Sequence, residues 1–434
     1  MTIRNKTIAL VLVAALTHGA ALAQATTAIM NGRVLTGDGE TIENGDIIIR
    51  NGRIAQIGAD LSAPSGATVI DASGKTVTPG VFAPISNLGL VEIGLDREAN
   101  DTGPDQQVGF PFGASLDASD AIRPSSTLIP VNRAGGVTRA VTAPASGDSL
   151  FGGRAAVIDL SGRPNSITRA RVGQVVALGY AGAARAGDTR LGAWALFRET
   201  LDEARSYAAN PNDYVRRPRT GRHAIADLKA LGPVINGDEP LIAFINSASD
   251  IRNLIRVKSE YRLRVIIVGG SEAWKVAPAL AAANIPVVLN GEANLPAQFE
   301  DLGATLENAA RLNAAGVRIA FDPTTSSSGS HNARALTQQA GIAVAYGLPY
   351  DDAIAALTRN PAEMYGLGAS LGSLASGKIA DVVIWDGDPL EVTSEPEAVL
   401  INGVQQDLDN RQSALMRRYR DLSRGDLPHA YRGD

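Results

Sequence analysis

The 434-residue sequence predicts an α/β protein in which a TIM-type (β/α)8 barrel is joined to a small β-sandwich domain formed by the N- and C-terminal segments. Two observations predict this class: strand-like segments with hairpin turns cluster at both ends, and strand-like and helix-like segments alternate between them. We therefore expect a signal peptide over residues 1–23, a sandwich over 24–78 and 366–405, a barrel over 79–365 and a C-terminal tail over 406–434.

The composition excludes several classes of function. Hydrophobic residues make up 45% of the chain and charged residues 20%, which are ordinary values for a globular protein. The formal net charge of −5 argues against general nucleic-acid binding. Because the chain has no cysteine, it can form neither disulfides nor thiolate sites.

The first residues have the pattern of a secretory signal. Arg4 and Lys6 precede the apolar run 7–16, and an A-x-A cleavage pattern ends at Ala23. The run is short for a membrane span, so we expect cleavage, with a retained anchor as the alternative. The mature protein is then periplasmic or secreted, with no membrane attachment.

Turn signals define the expected sandwich. Near the start, the β-branched run 45–49 is followed by an Asn-Gly hairpin turn at residues 51–52. Near the end, the apolar runs 381–385 and 398–401 are followed by a second Asn-Gly turn at residues 402–403. Such segments at opposite ends of a chain can pair into one small β domain.

Between these ends, short apolar runs alternate with helical stretches. Repeated strand-to-helix steps favour a barrel, whose active site is expected at the carboxyl ends of the strands. The expected strands cover residues 137–142, 155–160, 241–245, 264–268, 285–289 and 317–321.

Two stretches resemble the amidohydrolase superfamily, in particular its imidazolonepropionase-like, periplasmic branch. Residues 79–88 read PGVFAPISNL, where the family's first barrel strand typically reads PG-x-I-D-x-H-x-H-L. Residues 360–383 carry the pattern NPA…GSL-x-x-GK-x-AD, which resembles the family's return from barrel to sandwich. The resemblance implies the barrel-and-sandwich fold, hydrolysis of non-peptide or small cyclic C–N bonds, and zinc or another divalent metal.

The resemblance also implies where metal ligands should lie, and this sequence departs from the family there. The ligand positions on strands one, five, six and eight correspond to Ile85, Asn87, Phe244, Gly269 and either Thr324 or, with a two-residue slip, Asp322. An isoleucine offers no lone pair, and an asparagine oxygen is a weak zinc ligand. We therefore predict no metal site and no cofactor.

A count of histidines supports this expectation. Beyond the predicted signal the chain contains only His223, His331 and His429. The family's strand-borne imidazoles therefore cannot be recovered by shifting the alignment. The resemblance places the bridging-lysine position of some members at Asp159.

Two residues are candidates for catalysis. Asp322 follows a predicted strand, where its carboxylate would point into the barrel mouth; a turn acid before Pro323 is the alternative. His331 lies just beyond the same strand and could act as a general base, with a solvated loop histidine as the alternative.

Three asparagines, Asn87, Asn246 and Asn290, each follow or end a predicted strand. They could surround a pocket as hydrogen-bonding groups for a polar ligand. A helix cap or a turn is the alternative for each.

Three functions remain open. The first is an amidohydrolase-type hydrolase of C–N bonds with an atypical, metal-ligand-depleted site, its enzymatic activity uncertain. The second is a catalytically inactive paralogue that binds a small amide-like molecule, or partners an intact amidohydrolase paralogue or a second copy of itself. The third is a periplasmic barrel that binds a sugar or metabolite.

Overall fold

The computed structural model describes residues 26–104, 109–216, 223–324 and 330–420. The predicted signal peptide and the last part of the predicted tail lie outside these ranges. In the described ranges, no helix combines the length and the apolar character that a bilayer crossing requires.

The strands of the described residues are numbered in chain order. They are β1 (Thr26–Leu35), β2 (Thr41–Arg50), β3 (Arg53–Ala59), β4 (Thr68–Asp71), β5 (Thr76–Pro79), β6 (Val81–Ser86), β7 (Val137–Thr142), β8 (Phe151–Asp159), β9 (Ile167–Ala177), β10 (Leu241–Ile245), β11 (Val265–Gly269), β12 (Val287–Leu289), β13 (Ile319–Phe321), β14 (Val382–Trp385), β15 (Pro396–Ile401) and β16 (Val404–Gln405).

The α-helices follow the same numbering. They are α1 (Leu128–Ala134), α2 (Gly179–Ala183), α3 (Arg190–Ala209), α4 (Pro211–Arg216), α5 (Ile225–Ala230), α6 (Gly232–Ile235), α7 (Ala248–Tyr261), α8 (Ala277–Ala282), α9 (Asn308–Ala314), α10 (Leu336–Ala345), α11 (Tyr350–Leu357), α12 (Arg359–Met364) and α13 (Arg411–Arg420). Short 3-10 helices cover Arg97–Ala99, Ala118–Asp120, Ala273–Val276, Phe299–Asp301 and Ser330–Ala335.

The two ends of the chain form one β-sheet, called here the terminal sheet. Its order is β16-β15-β14-β5-β1-β2-β3, and β4 pairs with β1. The junction of the two ends is antiparallel, with Val382 opposite Pro79 and Ile384 opposite Val77. Their apolar side chains are buried on a common core, which confirms the prediction that the terminal segments pair into one β unit.

The middle of the chain forms the barrel. Its eight strands run in sequence order from β6 to β13, and β13 contacts β6, so the sheet nearly closes on itself. Helices pack outside the strands on a large apolar core, whereas a second core fills the interior and combines strand residues with Ala362, Met364, Tyr365 and Leu371. The predicted α/β barrel is therefore confirmed.

One strand breaks the regular alternation. β8 is antiparallel to both of its neighbours, β7 and β9, while the other neighbouring barrel strands are parallel. The connections, residues 143–150 and 160–166, are shorter than the roughly dozen residues that a parallel crossover needs. The chain therefore turns back on itself at this point.

Candidate functional site at the barrel mouth

Two cavities lie where the carboxyl ends of the parallel strands meet. The central cavity has a volume of about 250 Å³, and its lining includes Ile85, Asn87, Val175, Arg185, Phe244 and Thr324. The side cavity has a volume of about 810 Å³, and its lining includes Asn246, Gly269, Ser271, Asn290, Glu292, Asp301 and Asn308.

The central cavity gathers residues that are distant in sequence. Ile85 lies near the end of β6 and Phe244 near the end of β10, while Asn87 and Thr324 follow β6 and β13. Parallel barrel strands end at one face, so these positions converge there. Four of the positions where the resemblance implies metal ligands thus surround one cavity, while Gly269 lines the other.

The donor atoms around the central cavity do not fit a zinc ion. In the described ranges, no group of three or more His, Cys, Asp or Glu residues is arranged to hold a metal. A zinc site takes at least three nitrogen, sulfur or oxygen ligands from the protein, and the side chains of Ile85 and Phe244 offer none.

Asp159 lies at the other end of the barrel. Because β8 is antiparallel, Asp159 is opposite Arg139, near the start of β7. Its carboxylate accepts hydrogen bonds from Ser161 and lies 3.8 Å from the Arg139 guanidinium. The prediction that Asp159 occupies a bridging metal position is therefore wrong.

Two polar groups in the central cavity are fixed by main-chain contacts. Asn87 Nδ2 donates to the carbonyl oxygen of Ala143 at 2.9 Å, which joins the ends of β6 and β7. Arg185, just after α2, donates from Nε to the Gly147 carbonyl at 2.8 Å and from Nη2 to the Ser146 carbonyl at 2.7 Å. Burial lowers the pKa of Arg185, and the exposed Asp148 opposes that effect.

Asp322 is fully buried at the end of β13. Its Oδ1 accepts hydrogen bonds from the Thr324 backbone N–H at 2.7 Å and from the Thr324 hydroxyl at 2.6 Å. Burial, with the Asp322 charge, raises the pKa of the neighbouring Tyr365. The turn role is therefore present, while a catalytic role for Asp322 stays a prediction, and Thr324 is the member of this pair that lines the central cavity.

The three histidines that follow the predicted signal peptide lie in different parts of the chain. His331 belongs to the short helix Ser330–Ala335, but its side chain is outside the described part, so its catalytic role stays a prediction. His223 lies against α3, with Nε2 at 2.9 Å from the Thr200 hydroxyl. His429 lies beyond the described residues.

Asn246 and Asn290 both line the side cavity. The Asn246 carbonyl oxygen accepts hydrogen bonds from the Ser271 backbone N–H at 3.4 Å and from its hydroxyl at 3.3 Å. The Asn290 oxygen accepts from the Glu292 backbone N–H at 2.8 Å, which is a turn contact. The three predicted asparagines thus reach the barrel mouth, divided between two cavities.

Within the described part of the chain, two buried oxygens beside the side cavity have no hydrogen-bond partner. Asp301 is 8% exposed and Asn308 is 5% exposed, and Oδ1 of each is unsatisfied. Asn308 uses its amide nitrogen to donate to the Gly270 carbonyl at 3.0 Å. Buried acceptors are usually hydrogen-bonded, so these two oxygens are unusual features of this wall of the side cavity.

The sequence interpretation missed Glu300. It lies in the short helix Phe299–Asp301 and accepts a hydrogen bond from the Tyr180 backbone N–H at 3.0 Å, with the Asn246 amide at 3.4 Å. Burial raises the pKa of Glu300 above its ordinary 4.5, and the charge of Asp301 adds to that effect. Its sequence context, a polar loop far from any motif, carries no signal that would have identified it.

Comparisons with known proteins support this architecture. Residues 240–412 match the Amidohydrolase family. The fold superimposes on an amidohydrolase from Thermotoga maritima MSB8 with a TM-score of 0.77 and 27% identity, covering 89% of this chain and 100% of that one.

The chain is also similar to two curated proteins. The chain is 23% identical to the amidohydrolase TasK of Hapsidospora irregularis over 398 residues, which cover 83% of this chain but only 40% of that protein. A 100-residue stretch is 34% identical to the imidazolonepropionase of Maricaulis maris, covering 23% of this chain and 25% of that protein. The chain therefore spans less than half of the length of these relatives in each match.

The chain has the architecture of the Thermotoga amidohydrolase: a barrel with its candidate site at the strand ends, joined to a sheet built from both chain ends. Over residues 240–412 the chain is thus similar to the Amidohydrolase family, and its fold as a whole is similar to that of a solved amidohydrolase.

Proposed function

We propose that this protein binds a small amide-bearing molecule in the central cavity, without a resident metal and without the family's metal-dependent hydrolysis. One observation carries the proposal: Ile85, Asn87, Phe244 and Thr324, at positions where the resemblance implies metal ligands, surround one cavity and supply no metal-binding set.

The size and lining of the central cavity support a small ligand. Its volume of about 250 Å³ lies just below the roughly 300–1,000 Å³ of ordinary ligand pockets. Ile85, Val175 and Phe244 supply apolar surface, while Asn87, Arg185 and Thr324 supply polar groups. An amide, which has an acceptor oxygen and donor N–H groups on a compact body, matches such a lining.

Hydrolysis of non-peptide or small cyclic C–N bonds by an atypical site is the second candidate. Glu300 favours it, because a carboxyl with a raised pKa can hold a proton closer to neutral pH and give it to a leaving nitrogen. Glu300 contacts Asn246, which follows β10 at the barrel mouth. This route requires Glu300, with no step through a metal.

We further propose a protein partner, either an intact amidohydrolase paralogue or a second copy of this chain, for a protein exported to the periplasm or beyond. Exposed apolar side chains near the side cavity support the partner: Leu295 is 81% exposed and Phe299 is 86% exposed. Large exposed apolar groups of this kind often mark interaction surfaces. The signal-like N-terminus supports the location.

The binding test is isothermal titration calorimetry of the purified protein with hydantoin, glutarimide and N-acetylvalinamide, each mixture then checked for hydrolysis by NMR. The variant Ala181→Trp fills the central cavity, and Ala184→Trp is its matched control on the same exposed segment. We expect saturable binding that Ala181→Trp abolishes and Ala184→Trp preserves, with no product.

Two results would change this conclusion. Binding by none of the probes, or binding unaffected by Ala181→Trp, contradicts the proposed ligand site. Product formation that Glu300→Gln abolishes favours the hydrolase candidate instead.

A further inference from the structure

We propose that Arg185 makes the central cavity selective for a small carboxylate anion. This inference rests on the proposed function, because it names the charge of the ligand that the cavity binds. The carboxylate would contact the Arg185 guanidinium, and the remainder of the ligand would lie against Ile85, Val175 and Phe244.

The lining of the central cavity carries one kind of charge, a positive one. Among the described residues that line the central cavity, Arg185 alone carries a charge. No described lining residue therefore offers a carboxylate that could neutralise the guanidinium. The exposed Asp148 acts on Arg185 only as a neighbouring charge and does not line the cavity.

The second step is the hydrogen bonding of the guanidinium. Its described hydrogen bonds all go to main-chain carbonyl oxygens, those of Ser146, Gly147 and Ala181, and none goes to a carboxylate. Neutral acceptors orient the cation but leave its charge uncompensated. Burial lowers the pKa of Arg185, because the charged guanidinium loses contact with water. A bound anion would therefore stabilise the charged form.

The third step concerns geometry. A guanidinium has five N–H donors, and the three described bonds use one each on Nε, Nη1 and Nη2. One N–H on each terminal nitrogen of Arg185 therefore has no partner among the described contacts, and these are the donors that we expect a carboxylate to use. Because carbonyl oxygens already hold the side chain in place, little conformational entropy is lost when an anion binds.

The apolar walls select the kind of anion. A phosphate dianion would keep an uncompensated charge beside Ile85, Val175 and Phe244, since the cavity offers one cation. The single charge of a monocarboxylate is neutralised by Arg185. The uncharged remainder of such a ligand can then lie against these apolar walls. Asn87 and Thr324 remain available for the polar atoms of that body.

The experiment compares two probes that differ mainly in charge, N-acetylvaline and the neutral N-acetylvalinamide, by calorimetry on the full protein. We expect the acid to bind at least about tenfold more tightly than the amide, as a charge-assisted hydrogen-bond pair implies. In Arg185→Gln this preference should disappear through weaker acid binding, and Arg185→Lys should restore part of it. Arg50→Gln, an exposed arginine outside both cavities, controls for the net-charge change.

The outcomes separate this inference from the proposed function. Equal binding of the acid and the amide overturns the anion selectivity and leaves the ligand site intact, whereas no binding of either overturns the proposed function. If Arg185→Gln and Arg185→Lys weaken both probes equally and lower the melting temperature, Arg185 only clamps residues 143–150, and the inference is overturned.

Discussion

Glu300 shows how a single side chain responds to the barrel mouth. The carboxylate accepts hydrogen bonds from Tyr180 and Asn246, which favour its charged form. Burial works against that form and is the largest effect, with Asp301 and Asp250 adding like charge. The net result is a raised pKa, so the folded protein holds this proton at pH values where the unfolded chain has released it.

We predict that Glu300→Gln removes a pH-dependent part of the stability. In the wild type, the free energy of unfolding should fall as pH rises from the ordinary pKa of 4.5 through the raised value, because the folded state must then bury a charge. Glutamine does not titrate, so the variant should gain stability relative to the wild type across that interval. Urea unfolding at intervals between about pH 4 and pH 8 measures the difference.

Glu391→Gln is the matched control, since Glu391 is exposed and far along the chain from the barrel mouth. Its stability difference from the wild type should not follow the trend of Glu300→Gln. A difference for Glu300→Gln that stays constant, or that falls with pH, would contradict the raised pKa.

At the scale of elements, a buried ion pair joins the barrel to the terminal sheet. Arg139 in β7 is 2% exposed, and its Nε donates to Asp381 Oδ2 at 2.6 Å. Its Nη2 donates to Asp381 Oδ1 at 3.1 Å and to Asn402 Oδ1 at 2.6 Å. The bidentate contact compensates a charge that would otherwise be buried alone.

We predict that Asp381→Ala destabilises the protein by about 3–5 kcal/mol, because it leaves the Arg139 guanidinium buried without its main partner. Asp238→Ala, which removes an exposed carboxylate, should change stability by no more than about 0.5 kcal/mol. Denaturant unfolding of the two variants tests the difference. Equal, small effects would show that the ion pair does not hold the barrel and the terminal sheet together.

The individual strands differ in how well the sequence predicts them. Apolar runs with turn signals predict strands such as β10 and β11 well, because the signal is local. Strand direction is not local: β8 carries the same kind of apolar run but is antiparallel. Only the short connections on either side of β8 contain that information.

The residues of the candidate site, like the strands, could be predicted only where the signal is local. Asn87 and Phe244 could be assigned to the barrel mouth because each lies at a strand end, where the fold itself gives the position. Arg185 follows a short helix and Glu300 lies in a polar loop. The positions of Arg185 and Glu300 depend on how these segments pack over the strands. The periodicity of the sequence does not predict that packing.

At the scale of the whole molecule, apolar packing holds the described part of the chain together, and no group of three or more His, Cys, Asp or Glu residues in that part is arranged to hold a metal. Three apolar cores account for the terminal sheet, the barrel interior and the helical layer. A ligand that binds only the folded state stabilises it according to its affinity and concentration, so a tightly held metal would contribute measurably to the melting temperature. We expect no such contribution at the central cavity, because Ile85 and Phe244, whose side chains offer no donor atoms, occupy two of its walls.

We therefore predict that the purified protein contains far less than one zinc, manganese or iron ion per chain, and that EDTA leaves its melting temperature unchanged. Elemental analysis and thermal unfolding with and without chelator measure both quantities, with a zinc-dependent amidohydrolase purified by the same route as the positive control. Stoichiometric metal, together with a melting temperature that falls on chelation, would contradict the prediction. It would mean that residues beyond the described ranges, or the side chain of His331, complete a metal site that Asn87, Thr324 and Asp322 cannot form alone.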